Sequence, residues 1–249
     1  LNQWIYDEWS FNHEDRIFAT PVIALPIVEK AIEELEWALD KGARCILIRP
    51  APAWGLRGPR SPGLEEFDPF WARVQEAGVF VGMHSSDSGY NDLAAIWEGK
   101  GEMLPFKPNP FRGLVMSNRP ITDMMNAMIC HGAFTRFPDM RFGTIENGGT
   151  WVKPLVQSLE GIYKKMPQEF AEHPVNTFKR KVYVNPFWED GLEDLIDIMS
   201  ADRLLFGSDY PHPEGLANPV EFADDLPESL SDADVAKIMG GNLKELLRA

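Results

Sequence analysis

Cysteine is scarce in this chain: Cys45 and Cys130 are its only two in 249 residues. Cys45 falls in an apolar run and Cys130 in a helical stretch, so both read as buried free thiols, not as a disulfide or a zinc pair. That usage points to a reducing compartment, and the expected location is cytoplasmic. Long apolar runs are missing as well. No segment reaches the roughly 20 residues a bilayer crossing needs, and the opening Leu-Asn-Gln-Trp-Ile-Tyr-Asp-Glu-Trp is no secretory leader. Positive charge is in deficit, with 24 Lys and Arg against 38 Asp and Glu and a net charge of −14. Such a balance argues against a nucleic-acid or anionic-membrane surface and leaves a small-molecule substrate as the expected partner, with homo-oligomerisation open. Three motifs are also absent: the G-x-S-x-G elbow, the P-loop and G-x-G-x-x-G. Their absence weakens serine-hydrolase and nucleotide-dependent readings.

What the chain does have is a set of short apolar runs, each closed by a polar group. Cys45 to Ile48 runs into Arg49, Phe80 to Met83 into His84, Phe142 to Ile145 into Glu146, Val182 to Val184 into Asn185, and Leu204 to Phe206 leads to Asp209. Runs without alternation mark strands covered on both faces, as in parallel sheets, and α/β enzymes keep their chemistry at the carboxyl ends of such strands. An isolated carboxylate at a strand end is costly, so Asp209 needs a metal, an arginine or a hydrogen-bond network.

Helical patterns alternate with these runs. Ile27, Ala31, Leu35 and Leu39 precede Gly42, and Asp68-Pro69 reads as an N-cap and first-turn proline for a helix ending at Gly78. Thr122 opens a Met-rich helix whose stripe, with His131, reads as core. Further helices are expected over 151–164 and 192–199, and Ser231 with Asp234 resembles a capping box. Residues 16–25 read as a strand despite Pro21, 203–209 as the last strand, and 50–63 as a loop. The stretch 85–118, rich in Gly, Pro, Ser and Asn and carrying Tyr90, Trp97, Phe106 and Phe111, reads as a long loop or lid insertion. His13 and His173 fall in polar loops. Six βα units result, where a closed barrel needs eight. The chain opens without methionine inside an amphipathic pattern of Trp4, Ile5 and Trp9, so the natural protein is expected to begin earlier.

Together, Phe206-Gly-Ser-Asp-Tyr-Pro-His, Gly132-Ala-Phe-Thr-Arg-Phe-Pro-Asp-Met-Arg ahead of Glu146-Asn-Gly-Gly, and the strand closing at His84 resemble the amidohydrolase-related branch of the metal-dependent (β/α)8-barrel enzymes. That branch includes aminocarboxymuconate semialdehyde and resorcylate-type decarboxylases. The resemblance implies one TIM-type α/β barrel domain over 1–249, holding strands three to eight and incomplete at its N-terminus. It implies a divalent-metal-dependent enzyme that hydrolyses or non-oxidatively decarboxylates a small cyclic or carboxylated substrate. Zn²⁺ is the first candidate metal and Mn²⁺ the second.

By the same resemblance His84 and Asp209 are metal ligands. Glu146 stands where the family commonly has a histidine, so it is a ligand, an acid/base group or the cap of the Asn147-Gly148 turn. The family's first-strand ligand pair has no counterpart here. Asp209, Glu146 and His212 are the candidate catalytic groups, and Arg49 would bind a substrate carboxylate in bidentate fashion. The rival expectation is a non-catalytic, metal-poor barrel that serves as a structural or assembly module.

Overall fold

In the computed structural model, residues 1–99, 109–212 and 215–248 are described. Phe106 of the expected lid, and Pro213 and Glu214 of the C-terminal motif, lie outside them. A four-stranded parallel sheet forms the centre, built from β1 (Cys45–Ile48), β4 (Phe80–His84), β5 (Phe142–Ile145) and β6 (Val182–Val184), in that spatial order. β2 (Ala53–Gly55) and β3 (Gly58–Arg60) make a separate antiparallel pair. Register is set by Cys45 opposite Phe80, Val81 opposite Phe142 and Phe142 opposite Val182. Sequential strands lying side by side with helices between them is the winding of a barrel wall.

The two outer strands expected from the sequence shrink to single bridges, Val22 with Leu47 and Val184 with Leu204. On one side Pro21 has no N–H to donate; its carbonyl takes Leu47 N at 2.8 Å and Ile23 N returns to Leu47 O at 2.8 Å. On the other, Leu205 N reaches Val184 O at 2.9 Å, but Phe206 N turns away to Ile238 O at 3.1 Å. Among the described residues no ladder joins these outer segments, so the wall is an arc of six parallel positions.

Helices α1 (Asn2–Trp9), α2 (Val28–Asp40), α3 (Asp68–Ala77), α4 (Tyr90–Glu98), α5 (Pro110–Met116), α6 (Arg119–Cys130), α7 (Ala133–Arg136), α8 (Val152–Lys165), α9 (Pro174–Lys181), α10 (Leu192–Met199), α11 (Asp232–Ala236) and α12 (Asn242–Arg248) surround the wall. Trp71, Phe134 and Phe142 meet in the core beside Met124, Met125 and Met128, so the methionine stripe of α6 is packing. Gly78 ends α3 in the left-handed region, and Ser231 Oγ accepts from Asp234 N at the start of α11.

Several expectations change. The 85–118 stretch carries α4 and α5, and 50–63 carries the β2–β3 hairpin. Asp68 does not cap α3; Phe67 holds that place, and the Asp68 carboxylate takes Arg136 in a bidentate pair at 2.7 and 2.8 Å. Cys130 is exposed while Cys45 is buried, and burial pushes the Cys45 thiol up. His131 is exposed at the C-cap of α6, with Nδ1 2.7 Å from Ser61 Oγ, and is not core.

Ser61 and Gly63 lock the 50–63 segment onto α6. A Cβ on Gly63 would lie 2.3 Å from the Ala127 carbonyl oxygen, a backbone atom that cannot swing aside. Gly63→Ala should therefore destabilise the fold by about 2–3 kcal/mol, the upper range for overpacking. Thermal unfolding checks this, with a midpoint lowered by roughly 5–10 °C.

Candidate active site

His84 closes β4, Glu146 follows β5, and Asp209 follows the bridge at Leu204, so three strand ends deliver three side chains to one rim of the sheet. The His84 ring is held by its backbone, with Nδ1 2.5 Å from Ser85 O. Its other nitrogen, Nε2, lies 3.0 Å from Glu146 Oε2. Both ring nitrogens thus face acceptors, and a neutral imidazole has only one N–H to give. With Nδ1–H assigned to the carbonyl, the Nε2 lone pair and the Glu146 carboxylate converge on a position that suits a proton or a cation.

Donor atoms of Glu146, Asp209 and His212 all lie within 4.8 Å of one another. Adjacent donors around a tetrahedral Zn²⁺ are about 3.4 Å apart, from metal–ligand bonds near 2.1 Å. The 3.0 Å His84–Glu146 contact already has that scale, whereas the Glu146, Asp209 and His212 set has room to contract. Imidazole nitrogen with carboxylate oxygen is a donor set that a borderline divalent ion accepts, so these residues fit a metal.

The two carboxylates stand on unusual backbone. Glu146 has φ 55° and Asp209 φ 55°, in the left-handed region where side-chain-bearing residues are strained. Neighbouring side chains hold both turns. Asn147 Nδ2 donates to Met83 O at 3.0 Å and Ile145 O at 2.6 Å, tying the strand of His84 to that of Glu146. Asn185 Nδ2 donates to Leu205 O at 3.1 Å, tying β6 to the segment that leads to Asp209. Behind Asp209, His212 N donates to Asp209 O at 2.8 Å. Among the described residues no helix follows that Asp209 could cap.

A cleft of about 240 Å³ is lined by His84, Glu146, Asp209, Phe187, Trp188 and Glu189, among others. Phe187 and Trp188 are 41% and 48% exposed, so their rings form a wall of this cleft. Arg49 is not brought into the group. It closes β1, donates from Nη1 to Asp87 O at 3.1 Å, and lines a neighbouring, mostly apolar hollow of about 520 Å³ that shares His84. The aromatic wall and Asn147 went unread in the sequence. A Pro-Phe-Trp triplet directly after a strand end was the available signal for the wall.

A family model described as amidohydrolase matches residues 1–249. Among curated proteins, 2-amino-3-carboxymuconate-6-semialdehyde decarboxylase of Dictyostelium discoideum is 25% identical over 128 residues, 49% of this chain and 34% of that protein. Among solved structures, an amidohydrolase from Mycobacterium avium subsp. paratuberculosis K-10 superposes with a TM-score of 0.92 at 42% identity, over 99% of this chain and 62% of that one. A dihydroxybenzoic acid decarboxylase from Polaromonas sp. JS666, with bound manganese and the inhibitor 2-nitroresorcinol, gives a TM-score of 0.66 at 20% identity, over 93% of this chain and 68% of that one. The matched region thus spans about a third of the curated relative and under two thirds of the mycobacterial protein.

Proposed function

The chain belongs to the amidohydrolase family, and from that premise we propose that it carries the site of a divalent-metal-dependent enzyme that decarboxylates a small cyclic, carboxylated substrate. The observation that carries this reading is the placement of His84, with Nδ1 committed to Ser85 O and Nε2 turned toward Glu146, beside the Glu146, Asp209 and His212 donors. A structural histidine needs no such convergence. Decarboxylation is preferred over hydrolysis because the Dictyostelium relative is by name a decarboxylase.

His84, Glu146 and Asp209 would hold the ion, Zn²⁺ first and Mn²⁺ second, the latter also found in the Polaromonas protein. When bound, the metal supplies Lewis-acid charge for a substrate carboxylate and a neighbouring oxygen. The chain's own groups do the rest. Loss of CO₂ breaks one C–C bond and leaves its electron pair on carbon, which must take a proton. His212, a ring nitrogen of which lies within 4.8 Å of the Glu146 and Asp209 oxygens, would give it. Arg49, at the rim of the adjoining hollow, would grip a second anionic group of a longer substrate. The Phe187–Trp188 wall and the apolar hollow would offer apolar surface to the substrate ring.

Elemental analysis of the full-length protein should find about one divalent ion per chain. CO₂ release from hydroxybenzoate-type carboxylates should vanish on chelation and return with Zn²⁺ or Mn²⁺. No metal after reconstitution, together with no turnover, would leave the non-catalytic assembly module as the better reading.

A further inference from the structure

Asp190 takes no part in the chemistry described so far, yet one of its oxygens joins two loops of the site. Oδ2 accepts from Gly149 N at 2.6 Å, in the turn that follows Glu146, and from Phe187 N at 2.9 Å, in the loop that carries the aromatic wall. Asp190 N closes its own turn on Phe187 O at 3.2 Å.

The approach works only against glycine. A Cβ on Gly148, itself at φ +61°, would lie 2.8 Å from Phe187 Cδ2, and one on Gly149 would lie 2.7 Å from Leu195 Cδ2 and 3.4 Å from Asp190 Oδ2. Glu146 stands directly before this turn with φ 55°, a conformation that persists only where its surroundings hold it. Trp151 Nε1 donates to Gly148 O at 2.8 Å and Asn147 secures the strand ends, but both belong to the same segment as Glu146. Asp190 braces the turn from the neighbouring strand's loop, with a charge that strengthens both bonds.

We propose that Asp190 is a positioning residue for Glu146: it fixes the turn on which the Glu146 carboxylate faces His84 and couples that turn to the Phe187–Trp188 wall. The inference rests on the metal-site reading above. Its test is Mn²⁺ affinity in the full-length protein, from electron paramagnetic resonance of free Mn²⁺, for the wild type, Asp190→Ala, Asp190→Asn, Glu146→Gln and the Asp190→Ala/Glu146→Gln double variant.

Asp190→Ala should weaken binding about tenfold, as loss of an outer-shell partner commonly does. Asp190→Asn, whose amide oxygen still accepts both N–H groups, should stay within about threefold of wild type. If Asp190 acts through Glu146, adding Asp190→Ala to Glu146→Gln should change affinity less than about twofold. An equal loss in both backgrounds, or none in Asp190→Ala, overturns the inference and leaves the metal reading standing. A wild type that binds neither Mn²⁺ nor Zn²⁺ overturns both. Should Asp190→Ala fail to fold by circular dichroism, Asp190→Glu carries the test, since it keeps the charge and displaces the oxygens by one methylene. Made alone it should lower affinity about threefold, and added to Glu146→Gln it should lower it no further. Unchanged affinity in both backgrounds overturns the inference.

Discussion

Asp209→Asn in the full-length protein should weaken Zn²⁺ and Mn²⁺ binding by about 100-fold or more, with the unfolding midpoint nearly unchanged. The choice of asparagine follows from the backbone. Asp209 sits at φ 55°, and asparagine tolerates the left-handed region about as well as aspartate does. The substitution therefore removes a charge and one strong donor without disturbing the turn that places His212. Alanine at the same position would add a backbone cost of about 1–2 kcal/mol and mix a stability effect into the binding measurement. At His84, which ends an ordinary strand, alanine is the cleaner change, and a loss of the same order is expected. It also leaves Glu146 Oε2 without the nitrogen now 3.0 Å away. Calorimetric titration of both variants decides the matter. Wild-type affinity in Asp209→Asn and His84→Ala together would remove both residues from the metal site.

The strand ends that carry the candidate site could be read before the fold was known, because a parallel strand buried on both faces announces itself as a continuous apolar run. The first polar residue after the run marks the rim at His84 and Glu146, and Asp209 follows its run by way of Gly207 and Ser208; the roles expected of all three came from the resemblance. What a run cannot reveal is which rim positions face one another. Arg49 closes β1 by the same rule as His84 closes β4, yet it opens on a different hollow. Backbone conformation was equally hidden. The positive φ of Glu146 and Asp209 depends on bonds from Asn147, Asn185 and Asp190, whose partners lie between 2 and 64 residues away in sequence.

Elements were misread where tertiary contacts outweigh local signals. Pro120 sits inside the first turn of α6, which begins at Arg119, ahead of the Thr122 start that the pattern suggested. The polar, basic sequence of α9 gave no clear apolar stripe, although Val175, Phe178 and Lys181 are buried. Asp68 looked like a helix cap because capping is local; its actual partner, Arg136, is 68 residues away.

Lys181 supplies the other large effect, far from the metal donors. Only 1% of the residue is exposed, and its Nζ donates to Phe137 O at 2.9 Å and to Pro138 O. These carbonyls lie just ahead of β5, so the ammonium binds the end of α9 to the approach of the strand that carries Glu146. Burial pushes its pKa down from 10.5 to about 8, with Arg180 nearby acting in the same direction and Asp139 and Glu172 opposing.

A lowered pKa on a base means that between about pH 8 and 10.5 the unfolded chain holds a proton that the folded chain has released. Stability therefore rises with pH across that window and is flat on either side of it as far as this group is concerned. The gain is the gap of about 2.5 pH units, or about 3 kcal/mol. Tyrosines and the two thiols titrate in the same range, so the wild type must be compared with Lys181→Met, which keeps the stem and the other groups but has no proton to lose. Denaturant unfolding from about pH 7 to about pH 11 should show the wild type gaining up to about 3 kcal/mol on the variant. Parallel curves for the two proteins would mean that Lys181 titrates alike in both states, and that its ammonium reaches water in the fold.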